Sequence, residues 1–205
     1  YRLVGSEMCI RDRPNTDYST WGFWAMSSID FSPNTGGQNV SVHLAPWVAG
    51  QLLSVSDIPT SGTATMSGSA IMSTAFRHNQ SGSIYDVHKY ISNGSVQVQF
   101  NWDAGGNYTG TFSLSDYDET NPIAISAGIT DFNFNITGSG ISYSGNKTSF
   151  NNGWGGSVSA QGLLYGGNSP DESGGRMNVS LSKTGDINTS GANDFYFAEG
   201  IFLVD

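Results

Sequence analysis

The clearest signal in this chain is alternation. From Ser95 to Trp102, Val96, Val98, Phe100 and Trp102 fall on one face of an extended segment, with Ser95, Gln97, Gln99 and Asn101 on the other. A period of two is what a strand with one buried face requires. Asp103-Ala104-Gly105-Gly106-Asn107 follows, a run of turn formers. The alternation then resumes, with Tyr108, Gly110, Phe112 and Leu114 set against Thr109, Thr111, Ser113 and Ser115. The pattern predicts a β-hairpin.

The same texture recurs along the chain. Gly62 to Phe76 reads as one long extended segment in which Met66, Gly68, Ala70 and Met72 share a face. Asp131 to Thr137 alternates Phe132, Phe134 and Ile136 with Asp131, Asn133 and Asn135. Thr137-Gly138-Ser139-Gly140 turns it into Ile141-Ser142-Tyr143, which Ser144-Gly145-Asn146 is expected to end. Later strands are expected at Ser157–Tyr165, Arg176–Ser182 and Asp194–Val204, with Tyr18–Met26 as the first. No segment shows a 3.6-residue period, and at most a short helix is expected between Ser27 and Ile58. Eight or nine strands, each with one polar and one apolar face, predict an all-β fold closed as a barrel or packed as a sandwich. Closure removes edges that would template aggregation, and glycines within strands fit bulges and tight curvature.

Composition narrows the function classes. The 205 residues fit a single domain. Aromatic residues make up 12%, enough to furnish a core, while only 12% are charged, which does not match a disordered tail. The formal charge is −9 with no basic stripe, which argues against nucleic acid as a partner. No apolar run approaches the ~18 residues of a transmembrane helix. Residues 1–13 stand apart: they carry three of the eight basic residues and the only cysteine, Cys9. Their string resembles translated sequencing-adaptor sequence, so residues 1–13 are expected to be foreign and the domain to run over 14–205, its true N-terminus missing. A signal peptide or lipid-accepting cysteine would be lost with it, and Cys9 does not follow an apolar segment as a lipidation site would.

An ordered series of short motifs makes the reading more specific. Trp21-Gly22-Phe23-Trp24 opens it, then Trp47-Val48-Ala49-Gly50, then Asp57-Ile58-Pro59-Thr60-Ser61-Gly62-Thr63-Ala64-Thr65-Met66-Ser67-Gly68. Gly162-Leu163-Leu164-Tyr165-Gly166, Glu172-Ser173-Gly174-Gly175 and Gly200-Ile201-Phe202 complete it. In order and spacing, from Trp21 to Phe202, the series resembles the β-barrel domain of the transferrin-binding-protein-B-like family of bacterial surface lipoproteins. The departures are Met66 in place of an aromatic, Gly167 in place of a proline, and Arg176-Met177 in place of a small residue and a phenylalanine. The resemblance implies an eight-stranded antiparallel up-and-down barrel with little helix and a non-catalytic binding role at the cell surface. It implies an unidentified protein or small-molecule partner and a link to iron or host-protein acquisition. Transferrin is one ligand it allows, though not the leading one, since full family members have two lobes and this chain carries one barrel. The alternatives are a structural or signalling envelope domain at the end of a larger protein, or an integral outer-membrane barrel. Against the last, the apolar faces here carry Gly, Ala and Met, which suit a crowded interior better than a lipid-facing band.

Candidate chemistry is sparse. His43, His78 and His88 lie far apart and show no metal-ligand or catalytic spacing. No G-x-S-x-G elbow is present. Asp116-Tyr117-Asp118-Glu119 lacks the pattern of a calcium loop and is expected to form a solvated turn. We expect no catalytic residue, no metal site and no cofactor. Phe76 to Gly94 is expected to be a long loop, and because loops on rigid scaffolds carry binding, Tyr85, His88 and Tyr90 are the candidate ligand-binding residues.

Overall fold

The computed structural model describes residues 2–3, 17–31, 38–81, 84–184 and 193–205. Three strands form one small sheet: β1 (Arg2–Leu3), β2 (Ser19–Phe31) and β3 (Gln38–Gly50), in the order β1-β2-β3. The next eight form a closed antiparallel barrel. They are β4 (Gly62–Ser81), β5 (Ile84–Trp102), β6 (Asn107–Ser115), β7 (Phe132–Ser139), β8 (Ser142–Lys147), β9 (Trp154–Tyr165), β10 (Glu172–Thr184) and β11 (Asn193–Val204). Each pairs with its neighbour in sequence, and β11 closes onto β4, so the barrel is up-and-down.

Period two does the sorting. Along β6 and β7 every inward side chain from Tyr108 to Leu114 and from Phe132 to Ile136 is buried, while Asn133 and Asn135 face water. The interior is filled by side chains, among them Phe100, Phe112, Phe202, Met72 and Val98, all fully buried. Phe112 stacks on Phe134 with centroids 5.2 Å apart and meets Phe202 edge-on at 5.1 Å. Leu53 and Ile58 close the end where β9 finishes, with Leu53 N–H donating to Leu164 O. A six-residue helix, α1 (Pro122–Ala127), closes the other end with buried Ile123, Ala124 and Ala127.

Three expectations are corrected. Tyr18–Met26 is not a barrel strand; it belongs to β2, which pairs with β3 in the separate sheet. Among the described residues between Ser27 and Ile58, the short helix expected there is a 3-10 turn at Val55–Asp57, and β2 and β3 supply most of the rest. Pro46 obscures β3 in the sequence: proline has no N–H to give a ladder, and it is tolerated because β3 is an edge of its sheet. Ser144-Gly145-Asn146 does not end a strand but lies within β8. There a Cβ on Gly145 would sit 2.3 Å from Asn135 O, so the glycine marks close strand approach and not a turn. Finally, Phe76–Gly94 is no loop: β4 and β5 run on as a hairpin well past the end of β6.

Helix α1 escaped the pattern because six residues are too few to show a 3.6-residue period. Its ends are nonetheless conventional. Asn121 accepts from Ile123 N–H, Pro122 opens the first turn, and Gly128 ends the helix at φ 69°.

Candidate functional site

The three candidate residues lie on strand β5. Tyr85 pairs through its backbone with Asn79 of β4, and its side chain lies outside the described residues. His88 is exposed and stacks on Phe76, with centroids 4.6 Å apart and planes at 17°. Tyr90 is half-buried, edge-on to the same Phe76 at 6.1 Å. The structure therefore brings His88 and Tyr90 together around Phe76. The other two histidines, His43 on β3 and His78 on β4, pair through their backbones with Met26 and Asp86; their side chains lie outside the described residues.

Tyr90 leads into a polar network at the mouth of the barrel that the sequence pattern did not reveal. Asp118 Oδ2 accepts from Tyr90 Oη at 2.5 Å, Tyr196 Oη at 2.7 Å and Asn121 Nδ2 at 3.1 Å. Asn121 Nδ2 also donates to Tyr90 Oη at 2.7 Å. Tyr196 Oη lies 2.9 Å from Tyr117 Oη, which accepts from Ser92 Oγ at 3.0 Å; Thr74 Oγ1 completes the set, 2.5 Å from Ser92 Oγ. Asp116-Tyr117-Asp118-Glu119 is thus only partly a solvated turn: Asp116 and Glu119 are exposed, but Tyr117 is fully buried and Asp118 is the acceptor that gathers the network. Asp116 and Asp118 reach this geometry at φ 55° and 48°, which aspartate tolerates better than most residues.

Electrostatics favour the neutral form of the phenols in this network. Burial pushes the phenols of Tyr117 and Tyr196 well above the ordinary tyrosine value, and burial with the Asp118 hydrogen bond does the same for Tyr90. The phenols of Tyr90 and Tyr196 donate to Asp118, which ties β5 and β11 to the start of α1. Among the described residues no three of His, Cys, Asp or Glu come together as ligands for a metal ion.

The outer wall of the barrel offers the broader surfaces. Glu172, buried at the start of β10, accepts from Asp17 N–H at 2.5 Å, from Tyr18 N–H at 2.9 Å and from Ser19 Oγ. This carboxylate fastens the start of β2 to the barrel. Under β3, the outward-facing Ile201 and Leu203 of β11 are buried, and Val48 lies against Gly174. Two grooves flank the fastened hairpin. One of about 520 Å³ is lined by Trp21, Ile71, Asn93 and Leu203. The other, about 890 Å³, is lined by Trp47, Val48, Tyr165, Gln161 and Arg176.

Beyond the hairpin the wall exposes large apolar side chains among charged ones. Phe195 and Phe197 of β11 and Val87 and Ile91 of β5 are 41, 44, 57 and 45% exposed. The register sets Phe195, Arg77 and Val87 in one row across β11, β4 and β5, and Phe197, Ala75 and Lys89 in the next. The Arg77 guanidinium lies 4.4 Å from the centroid of the Phe195 ring.

No protein-family model matches the chain, and no curated protein matches it. Among solved structures the chain is similar to Transferrin Binding Protein B, a vaccine antigen of Haemophilus parasuis Hp5, in crystal structures of a single mutant and a double mutant. The TM-scores are 0.38 and 0.39, with 16% identity in both, over 98 and 99% of this chain. The chain spans 39% of the length of those proteins.

Proposed function

We propose that this chain is a non-catalytic binding module of the bacterial cell envelope that engages its partner on the outer wall of the barrel. The observation that carries this reading is the uncovered face of Phe195, Phe197, Val87 and Ile91 on a barrel whose interior is filled. Large apolar side chains left in water on β11 and β5, the two strands that flank β4, are the usual mark of an interaction surface. The rest of the wall is unlike a lipid-facing one. Thr65, Ser67, Gln97, Gln99, Asn133 and Asn135 point outward into water, the reverse of a barrel embedded in a bilayer. That arrangement supports a module anchored to a membrane over one that spans it.

The motif order from Trp21 to Phe202 supports a place beside surface lipoproteins of iron or host-protein acquisition. In this reading residues 14–205 are the module and residues 1–13 are foreign to it. The test is binding of a panel of plasma proteins, transferrin included, to the immobilised chain and to its Phe197→Asp variant. Phe197 points out of the barrel, so the variant should keep its thermal midpoint. A partner of the outer wall should lose roughly tenfold or more in affinity, as for a truncated interface anchor. A partner that binds the variant as tightly as the parent would place the binding surface elsewhere.

A further inference from the structure

We propose that the free edge of β5 takes up an extended segment of a partner protein as an added strand, an inference that rests on the binding-module reading and specifies the partner's chemistry. Strand β6 pairs with β5 only over Ser95–Trp102, whereas β4 pairs with β5 back to Ile84. From Ile84 to Gly94, β5 therefore has one paired edge and, among the described residues, one unpaired edge. That stretch is roughly 35 Å long at ~3.3 Å per residue.

The register identifies the groups on that edge. At the β5–β6 turn Asp103 N–H donates to Asn107 O. Backbone groups alternate sides along a strand, so odd-numbered residues of β5 aim N–H and C=O toward the β6 side. Pairing with β4 runs without a shift from Trp102 back to Tyr85, so the same alternation brings Asn93, Ile91, Lys89 and Val87 to the open edge. Each presents one donor and one acceptor there. An extended peptide satisfies such a row by strand addition, with main-chain bonds supplying affinity and alternate side chains supplying specificity.

The side chains choose the kind of strand. Val87, Lys89 and Ile91 share the outer face and are all exposed. A strand laid beside them opposes them with its residues i, i+2 and i+4. The complementary pattern is apolar, acidic, apolar. A second copy of this chain fits poorly: pairing two β5 edges antiparallel so that Val87 meets Ile91 places Lys89 opposite Lys89, and like charges directly opposite destabilise a sheet. Lys89 thus guards the edge against self-association and selects an acidic partner.

The experiment uses the isotopically labelled full chain and the synthetic peptide Thr-Val-Thr-Glu-Thr-Val-Thr, which reads the same in both directions. The expected result is saturable binding with slowed amide exchange at Val87, Lys89, Ile91 and Asn93, and little change at Tyr90 and Ser92. Lys89→Glu should weaken the peptide roughly fivefold or more, and replacing the central Glu of the peptide by Lys should restore it. Ile91→Pro, which removes an edge donor, should abolish binding; if that variant does not fold, the Lys89 pair decides. No binding, protection elsewhere, or indifference to Lys89→Glu overturns the proposal. A plasma-protein ligand that binds as tightly to Lys89→Glu and Ile91→Pro as to the parent would overturn strand addition while leaving the binding module standing.

Discussion

At the scale of single residues, Asp118 concentrates more of the structure than any other polar side chain at the barrel mouth. One of its oxygens accepts from two phenols and an amide that reach it from β5, β11 and the start of α1. Asp118→Asn keeps the shape but removes the charge that strengthens those bonds and turns half of the group into a donor. The variant should be destabilised by about 1–3 kcal/mol, read as a lower denaturation midpoint with an unchanged slope. An unshifted midpoint would mean that the network is decorative. Nothing local announces this role. Tyr117 finds its partners 25 and 79 residues away along the chain, so Asp116-Tyr117-Asp118-Glu119 has the composition of an exposed turn until the barrel closes around it. Glycines are similar. A Cβ on Gly138 would fall 2.2 Å from the Tyr108 ring, and one on Gly162 would fall 2.3 Å from the Tyr143 ring. Both are cross-strand pairs in which an aromatic ring lies over a glycine, and the pairing is invisible before the register is known.

At the scale of elements, the strands with a clean polar face were legible and those with mixed faces were not. Strands β6 and β7 alternate because one side meets the core and the other meets water. The outer half of β5 breaks that rule: inward His88, Tyr90 and Ser92 are polar or amphipathic, while outward Val87 and Ile91 are apolar and alternate with Lys89 and Asn93. Neither face is uniformly apolar, which is why the sequence suggests a loop there. The β2–β3 hairpin was half legible, and its attachment to the barrel depends on Glu172. Glu172→Ala leaves the N–H groups of Asp17 and Tyr18 without their acceptor. We expect faster limited proteolysis within β2–β3 while the barrel core stays resistant. If the hairpin is cut no faster than in the parent, the attachment lies in the apolar contact of Val48 with the wall and not in the carboxylate.

For the whole molecule, the filled interior makes a statement about pH. Tyr108, Tyr143 and Tyr165 are pushed up by burial, as are Tyr90, Tyr117 and Tyr196 at the mouth. A folded-state value above the unfolded value of 10.0 means that the stabilisation is fully present below pH 10. It is lost as pH rises above 10, where the unfolded chain ionises its phenols and the folded barrel does not. The expected outcome is a stability plateau through neutral pH and then steep alkaline unfolding, with phenolate absorbance appearing together with loss of β-structure. Phenolate formation that clearly precedes unfolding would show that these rings are reached by water in the native state.

The fold class, most of the barrel strands and the polarity of the wall are legible from the residues alone, because a period of two records directly which side of a strand meets water. Tertiary structure alone decided that the first strand belongs to a separate hairpin, that Glu172 fastens it, and that Asp118 gathers partners from distant strands. It alone decided that β5 outruns β6 and, among the described residues, leaves an edge open. Those features depend on register and closure, and contacts between residues far apart in sequence leave no local periodicity to read.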